Sequence, residues 1–444
     1  GDSRELAVAA AESEAAARER PLSRRNLAVV ACLFVAALGG IFALQHKFHI
    51  NSFGVSQFPH YVYQAESFLH GRWDVDLPRS LTDIVVLHGK DYTIYPPFPA
   101  VLLMPFVAVF GTATSDILFT AVISALNLGV LYLLLEQARV LGLTRRTWLE
   151  NAAIAALLWV GSINLWLSLG GDMWYTAHIV GFTCALLSLL LALQRRFTLS
   201  AVYIGCGFLT RGTLALVFPL VLFLAWQEYP ADNLFARFAG ALRRREVDLR
   251  AVPWRRLAGP LVVFAVSVAC FMLRNAAVFG NPLESGYNVI IHQRYPSITN
   301  GVFSLTYLKS NLVANFFDFP KITFQGPYDR HPVIDWLNGG VGISVFLTTP
   351  LFLLLFVRNQ RFHPLRAALW VTVGLIVVSV LVFHATGYAE FGARYLFEAY
   401  PYAFLLLALG DERLDWRFVL LGLLGVAINL AGASQLWTFH PTIV

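Results

Sequence analysis

The sequence predicts an all-α membrane protein that crosses the bilayer about 11 times, at roughly 20 residues per span, with two large loops on one side carrying short interfacial helices. Three observations predict it. Hydrophobic residues fill 57% of the 444 positions and charged residues only 14%, with a mean hydropathy of +0.62; a water-soluble fold cannot bury that much apolar surface. The apolar residues come in runs of spanning length. The arginines cluster in the short loops between runs, as they do where basic loops stay on the cytoplasmic side.

Composition also excludes some functions. The net charge is +6, but no basic face on a soluble domain accompanies it, so nucleic acid is not an expected partner. Cys32, Cys184, Cys206 and Cys270 all sit inside apolar runs. Their spacing supports neither a disulfide framework nor a zinc cluster.

Residues 1–26 are rich in Ala, Glu and Arg and form the expected cytoplasmic tail, with Arg18, Arg20, Arg24 and Arg25 beside the first run. Residues 27–444 then form a single domain. The first span covers 26–45, and the first outer loop covers 46–97, with an interfacial helix over 61–70. Residues 97–110 are short for a span. Further spans fall at 116–135, 148–169 and 175–193. Residues 199–226 are one apolar run broken at Thr210-Arg211-Gly212. That length exceeds one span and falls short of two. It is either a hairpin of short helices with Arg211 at the outer turn, or one tilted helix with a buried arginine. The hairpin puts the basic loop 228–256 inside, with Arg243, Arg244, Arg245, Arg250, Arg255 and Arg256. It also makes 97–110 re-entrant, unless one arginine-bearing loop breaks the charge rule. A span at 257–278 leads to the second outer loop, 279–335. Spans at 336–357, 367–383, 395–409 and 418–430 complete the chain, with a short outer turn at 384–394. No internal repeat is apparent, which disfavours transporters built from paired halves.

The polar residues outside the arginine clusters converge on one side. In the first loop, Asp74-Val75-Asp76 could hold a divalent cation such as Mg or Mn, or form a solvated turn. Glu66, Asp74, Asp76, Asp83 and Asp91 are five acids, any of which could act as a general base. His60 and Tyr95 stand near them. Lys90 or Arg72 could pair with a phosphate. Asp172 either caps a helix or lines a site. Arg211 within an apolar run needs a polar cavity or an anion. Apart from it, charges well inside the runs are almost absent. Arg394 opens a span at the outer end and could bind phosphate as a planar fork, snorkel, or pair with Glu390. The second loop offers Glu284, Tyr287, His292 and Arg294.

Several stretches together resemble the GT-C class of multi-spanning membrane glycosyltransferases, which includes protein O-mannosyltransferases and lipid A aminoarabinose transferases. They are the single helix followed by a large outer loop, FLHGRW, YTIYPPFPAVLLMPFVAVFG, FLTRGTLALVFPL, FGNPLESGY and GYAEFGARYLFEAYP. The resemblance implies inverting transfer of a hexose or pentose from a polyprenyl-phosphate sugar to a glycan, lipid or protein acceptor. It implies catalysis at the outer face of the membrane, a bacterial inner membrane being the expected setting. The class carries its acid shortly after the first helix. Here that neighbourhood reads Ser56-Gln57-Phe58-Pro59-His60, without an acid, so either the base shifts to Glu66, Asp74, Asp76, Asp83 or Asp91, or the chain is a divergent member of the class. Lys90 is the match for the basic residue before the proline pair, several positions early. Arg211 falls where the class has a basic residue near the donor phosphate, and Arg394 would join it. Asp172, His60, Tyr95, Glu284, Tyr287 and Glu390 would line the site. A transporter or flippase for a lipid-linked sugar is the competing expectation; it would spread polar groups through the membrane depth and not gather them at one face. A scaffold without a site is a third.

Overall fold

The structure, a computed structural model, describes residues 23–77, 82–227, 252–325, 331–357, 363–387, 391–410 and 414–439. Glu390, most of the N-terminal tail and the arginines of 228–251 lie outside them. The chain is an all-α polytopic membrane protein. Six of the described helices are long and apolar enough to cross a bilayer: α1 (Arg24–Lys47), α4 (Asp116–Val140), α7 (Met173–Leu193), α10 (Trp254–Phe279), α15 (Pro364–Leu381) and α17 (Trp416–Phe439). Only 11% of α1's most apolar stretch and 22% of α10's are buried within the protein. Their remaining apolar surface, including Val35, Val262, Val266 and Leu273, faces outward, as a lipid-facing helix requires.

Shorter legs complete the bundle. They are α5 (Trp148–Val160) with the single turn α6 (Asn164–Leu167), α8 (Phe197–Phe208), α9 (Phe218–Trp226), the pair α13 (Val345–Thr348) and α14 (Leu354–Val357), and α16 (Tyr400–Ala408). Short 3₁₀ segments at Gly212–Val217 and Arg394–Ala399 lead into α9 and α16. The run 199–226 is the hairpin. Phe197 at the start of α8 shares one buried cluster with Ala225 near the end of α9 and with Leu257 of α10, so the chain goes out and returns. Arg211 sits at its turn, where its backbone amide donates a hydrogen bond to the Gly207 carbonyl at 2.7 Å.

Helix α3 (Phe98–Phe110) does not cross. The Phe98 amide donates to the Leu209 carbonyl beside the α8–α9 turn, and the Ser115 hydroxyl just beyond α3 donates to the Gly54 carbonyl at 2.6 Å. Both ends therefore lie at the loop-bearing end, where α3 packs under α2 (His60–Leu69). The count of crossings balances without a misplaced arginine loop.

Small residues let helices close up. A Cβ on Gly161, just after α5, would stand 2.8 Å from the Gly422 carbonyl of α17, and one on Gly425 would stand 2.4 Å from the Gly161 carbonyl. Such backbone approach is a common way for helices to associate in lipid. At the arginine-bearing end, the buried Glu136 accepts from Arg139 and from Asn151. Arg146 donates to the Ala408 carbonyl.

The first loop is more ordered than its composition suggests. Strands β1 (Ile84–Leu87) and β2 (Lys90–Thr93) form a hairpin with Leu87 opposite Lys90. His88 and Gly89 form the two-residue turn with φ of 50° and 78°, the left-handed pair that matches strand twist. The free edge of β1 is covered by α11 (Tyr287–Arg294). Gln293 accepts from the Val86 amide and donates to its carbonyl, as a partner strand would. The second loop adds α12 (Leu308–Phe316) and a hairpin of β3 (Lys321–Gln325) and β4 (His331–Asp335).

Candidate active site

The polar groups meet in a hollow of about 560 Å³ between the first-loop hairpin, α7, the α8–α9 turn, α11 and the residues His384, Ala385, Gly387, Arg394 and Tyr395. Its lining includes Asp83, Tyr95, Trp174, Arg211, Tyr287 and Arg394. A second hollow of about 320 Å³ adjoins it and is lined largely by apolar residues of α8, α10 and α15, among them Phe208, Phe271 and Val380. Tyr95, Arg211, Tyr287 and Tyr395 line both.

Asp83 immediately precedes β1 in a left-handed conformation, φ 60°, which Asp tolerates better than most residues. Its carboxylate accepts from the Tyr95 hydroxyl and from Trp174 Nε1 at 3.2 Å. Burial and the nearby carboxylate push the Tyr95 phenol well above its usual pKa, so it stays a donor. The strand end that leads into Tyr95 is fixed by the α10 residue Arg274, whose guanidinium donates to the Thr93 carbonyl at 2.7 Å. On the other side, the buried His60 places Nε2 at 2.9 Å from the Thr82 carbonyl. Burial holds its imidazole below its usual pKa, hence neutral. Asp83 is thus aimed by neighbours on three elements.

Arg211 enters from the hairpin turn, and its Nε donates to Glu398 at 2.6 Å. Arg394, buried at the start of its 3₁₀ turn, has its guanidinium carbon 5.5 Å from both the Trp174 and the Tyr395 rings. Cations over aromatic faces are attracted by about 0.5 to 2 kcal/mol. One carboxylate, two guanidinium groups and a set of aromatic walls therefore share one space.

Other expected residues lie elsewhere, and their roles are corrected accordingly. Asp74, Asp76 and Lys90 do not line the hollow. Arg72 binds Asp74 at 3.1 Å and Asp76 at 2.9 Å, and Lys90 binds Asp74 at 3.2 Å. Burial opposes charge on Asp74, but Lys90 and Arg72 hold it below the usual carboxylate range. The guanidinium occupies the place a cation would take between Asp74 and Asp76, so these carboxylates do not fit a metal. Among the described residues no group of three or more His, Cys, Asp or Glu is placed to hold one.

Glu66 faces His70 on α2 at 3.6 Å. Glu284 caps α11, accepting from the Gly286 amide and from Asn288. Asp172 stands just before α7, and its side chain accepts the Phe58 amide at 2.9 Å, while Asp116 takes the Ser56 amide and hydroxyl. These two acids staple segment 56–58 to the bundle. Sequence reasoning missed Glu398 and His178, a lone acid and a lone histidine inside apolar runs. That isolation was itself the signal. It also missed Trp174, Tyr395 and His384, whose aromatic chemistry looks the same in a core as in a cavity.

No family model matches the chain, and no curated protein does. Among solved structures, it is similar to ArnT from Cupriavidus metallidurans, determined with undecaprenyl phosphate bound, at 18% identity and a TM-score of 0.47, over 91% of this chain and 63% of that one. It is also similar to the oligosaccharyltransferase of Archaeoglobus fulgidus, at 14% identity and a TM-score of 0.45, over 94% of this chain and 56% of that one. A second structure of the archaeal enzyme, tethered to an acceptor peptide, scores 0.44. The chain thus spans about three-fifths of the length of these proteins.

Proposed function

We propose that this protein is a membrane glycosyltransferase that moves a sugar from a polyprenyl-phosphate donor to an acceptor hydroxyl or amine. The observation that carries the reading is the position of Arg211, in the wall shared by an apolar hollow and a polar, acid-bearing one. A lipid-phosphate sugar has the same order of chemistry: apolar chain, phosphate, polar sugar. The chain would lie along Phe208, Phe271 and Val380. The phosphate would meet Arg211 and Arg394, and the sugar would lie among Tyr95, Trp174 and Tyr287.

In the reaction, Asp83 takes the acceptor's proton as its heteroatom attacks the anomeric carbon from the face opposite the phosphate. The bond to the phosphate oxygen breaks with inversion, and the leaving phosphate gains a negative charge that the two guanidinium groups meet. The proton transfer contributes roughly 100- to 10,000-fold, and fixed cations at the leaving oxygen add to it. Asp83 would supply the acid absent from residues 56–60. With the arginine-bearing end in the cytoplasm, the site opens on the outer face, in a bacterial inner membrane.

The test is transfer from radiolabelled polyprenyl-phosphate hexoses and pentoses by the purified chain in vesicles, against lipid, glycan and peptide acceptors. Label joined to an acceptor supports the reading. Label that crosses the bilayer intact, or no transfer from any donor, overturns it; intact crossing is the transporter's signature.

A further inference from the structure

Three elements converge on one guanidinium. Arg211 comes from the turn after α8. Glu398, with 2% of its side chain exposed, comes from the 3₁₀ segment before α16 and receives Arg211 Nε at 2.6 Å. His178, equally buried on α7, places Nδ1 at 3.1 Å from the same Glu398 oxygen. Its ring packs against Phe397 and Tyr395, with centroids 6.2 and 6.4 Å apart. The Arg211 guanidinium carbon lies 5.6 Å from the Tyr395 ring.

Such depth is unlike a pair kept for stability, because desolvating both ions commonly offsets their attraction. A guanidinium has five N–H donors in a fixed fork. Glu398 takes the one on Nε, and among the described residues no other acceptor hydrogen-bonds the Arg211 guanidinium. The four donors on the terminal nitrogens belong to a side chain that lines both hollows.

We propose that Glu398, braced by His178, is the positioning residue for Arg211, fixing its fork in the wall between the two hollows so that the terminal N–H groups receive the donor phosphate. This rests on the glycosyl-transfer reading and specifies how its anion site is built. Glu398 itself touches no substrate; its effect passes through the arginine.

The experiment is a double-mutant cycle on the purified full chain, with polyprenyl phosphate as the binding probe and donor kinetics alongside. Glu398→Gln is expected to weaken the lipid phosphate about tenfold and to raise donor KM more than it lowers kcat. In an Arg211→Ala background the same change is expected to do nothing further. His178→Phe, which strands no charge, should give a smaller loss that also vanishes with Arg211→Ala, at an unchanged unfolding temperature; it keeps the test valid if Glu398→Gln does not fold. Losses that add across the cycle, or unchanged lipid affinity in a folded Glu398→Gln or His178→Phe protein, overturn the inference alone. Failure of the wild-type chain to bind polyprenyl phosphate removes the glycosyl-transfer reading and this inference with it.

Discussion

In the proposed reaction Asp83 and Arg211 carry the chemistry, and the structure surrounds them differently. Asp83 is aimed by neutral groups, the Tyr95 hydroxyl and the Trp174 indole, whereas Arg211 is aimed by a charge, Glu398. Arg211→Ala should therefore do two things. It should weaken lipid-phosphate binding, and it should strand a buried carboxylate, lowering stability by about 3 to 5 kcal/mol. Both are measurable on one preparation, by ligand titration and thermal unfolding; unchanged binding would take Arg211 out of the anion site.

His60 sets a pH dependence. Its folded pKa lies below the ordinary 6.5 because it is buried. Above that value both states are neutral and its contribution is intact. As pH falls below it, the unfolded chain takes up a proton that the folded chain resists, so stability drops. The unfolding temperature should fall between about pH 7 and pH 5, and His60→Gln should flatten part of that slope. An unaltered slope would mean that His60 protonates freely in the fold. At this scale the sequence was informative where a charge stood alone in apolar surroundings, as Arg211 does. It was ambiguous where five acids shared one loop. Distinguishing Asp83 from Asp74 needs the hairpin, which sets one against the Tyr95 hydroxyl and turns the other toward Arg72 and Lys90.

Elements decide which side chains can meet. The α8–α9 hairpin was legible because a run of that length, broken by Thr210-Arg211-Gly212, is too long for one crossing and too short for two. The β1–β2 hairpin was not singled out, although His88-Gly89 is the local signal for its turn. Helix α3 has the composition of a span. Only the ties of its two ends to Leu209 and Gly54 show that it stays at the rim. The α5–α17 contact also eluded prediction, since a glycine in a spanning helix does not announce its partner. Gly425→Val should force those backbones apart, because a Cβ there already meets the Gly161 carbonyl at 2.4 Å. A lower unfolding temperature, with donor affinity kept in whatever folds, is the expected result; an unchanged temperature would mean that the contact opens without cost.

For the whole molecule, the arrangement predicts a sided protein. Asp83, Arg211 and Arg394 line one hollow, and at the opposite end of the bundle Glu136, Arg139 and Arg146 form a separate polar layer. The fold class was readable because bilayer thickness and hydrophobicity act on runs of residues, without reference to tertiary contacts. The site was only partly readable because it is assembled from five separated segments. In a cysteine-free background, Leu283→Cys, 79% exposed beyond α10, should react with a membrane-impermeant maleimide from outside. Leu149→Cys, at the start of α5 and 62% exposed, should react only after the membrane is opened. The reverse pattern would place the hollow in the cytoplasm. The most direct measurement of the central claim is sugar transfer by Asp83→Asn, which keeps the shape and removes the base. The account predicts at least about 100-fold slower transfer with polyprenyl-phosphate binding retained; transfer at the wild-type rate would contradict it.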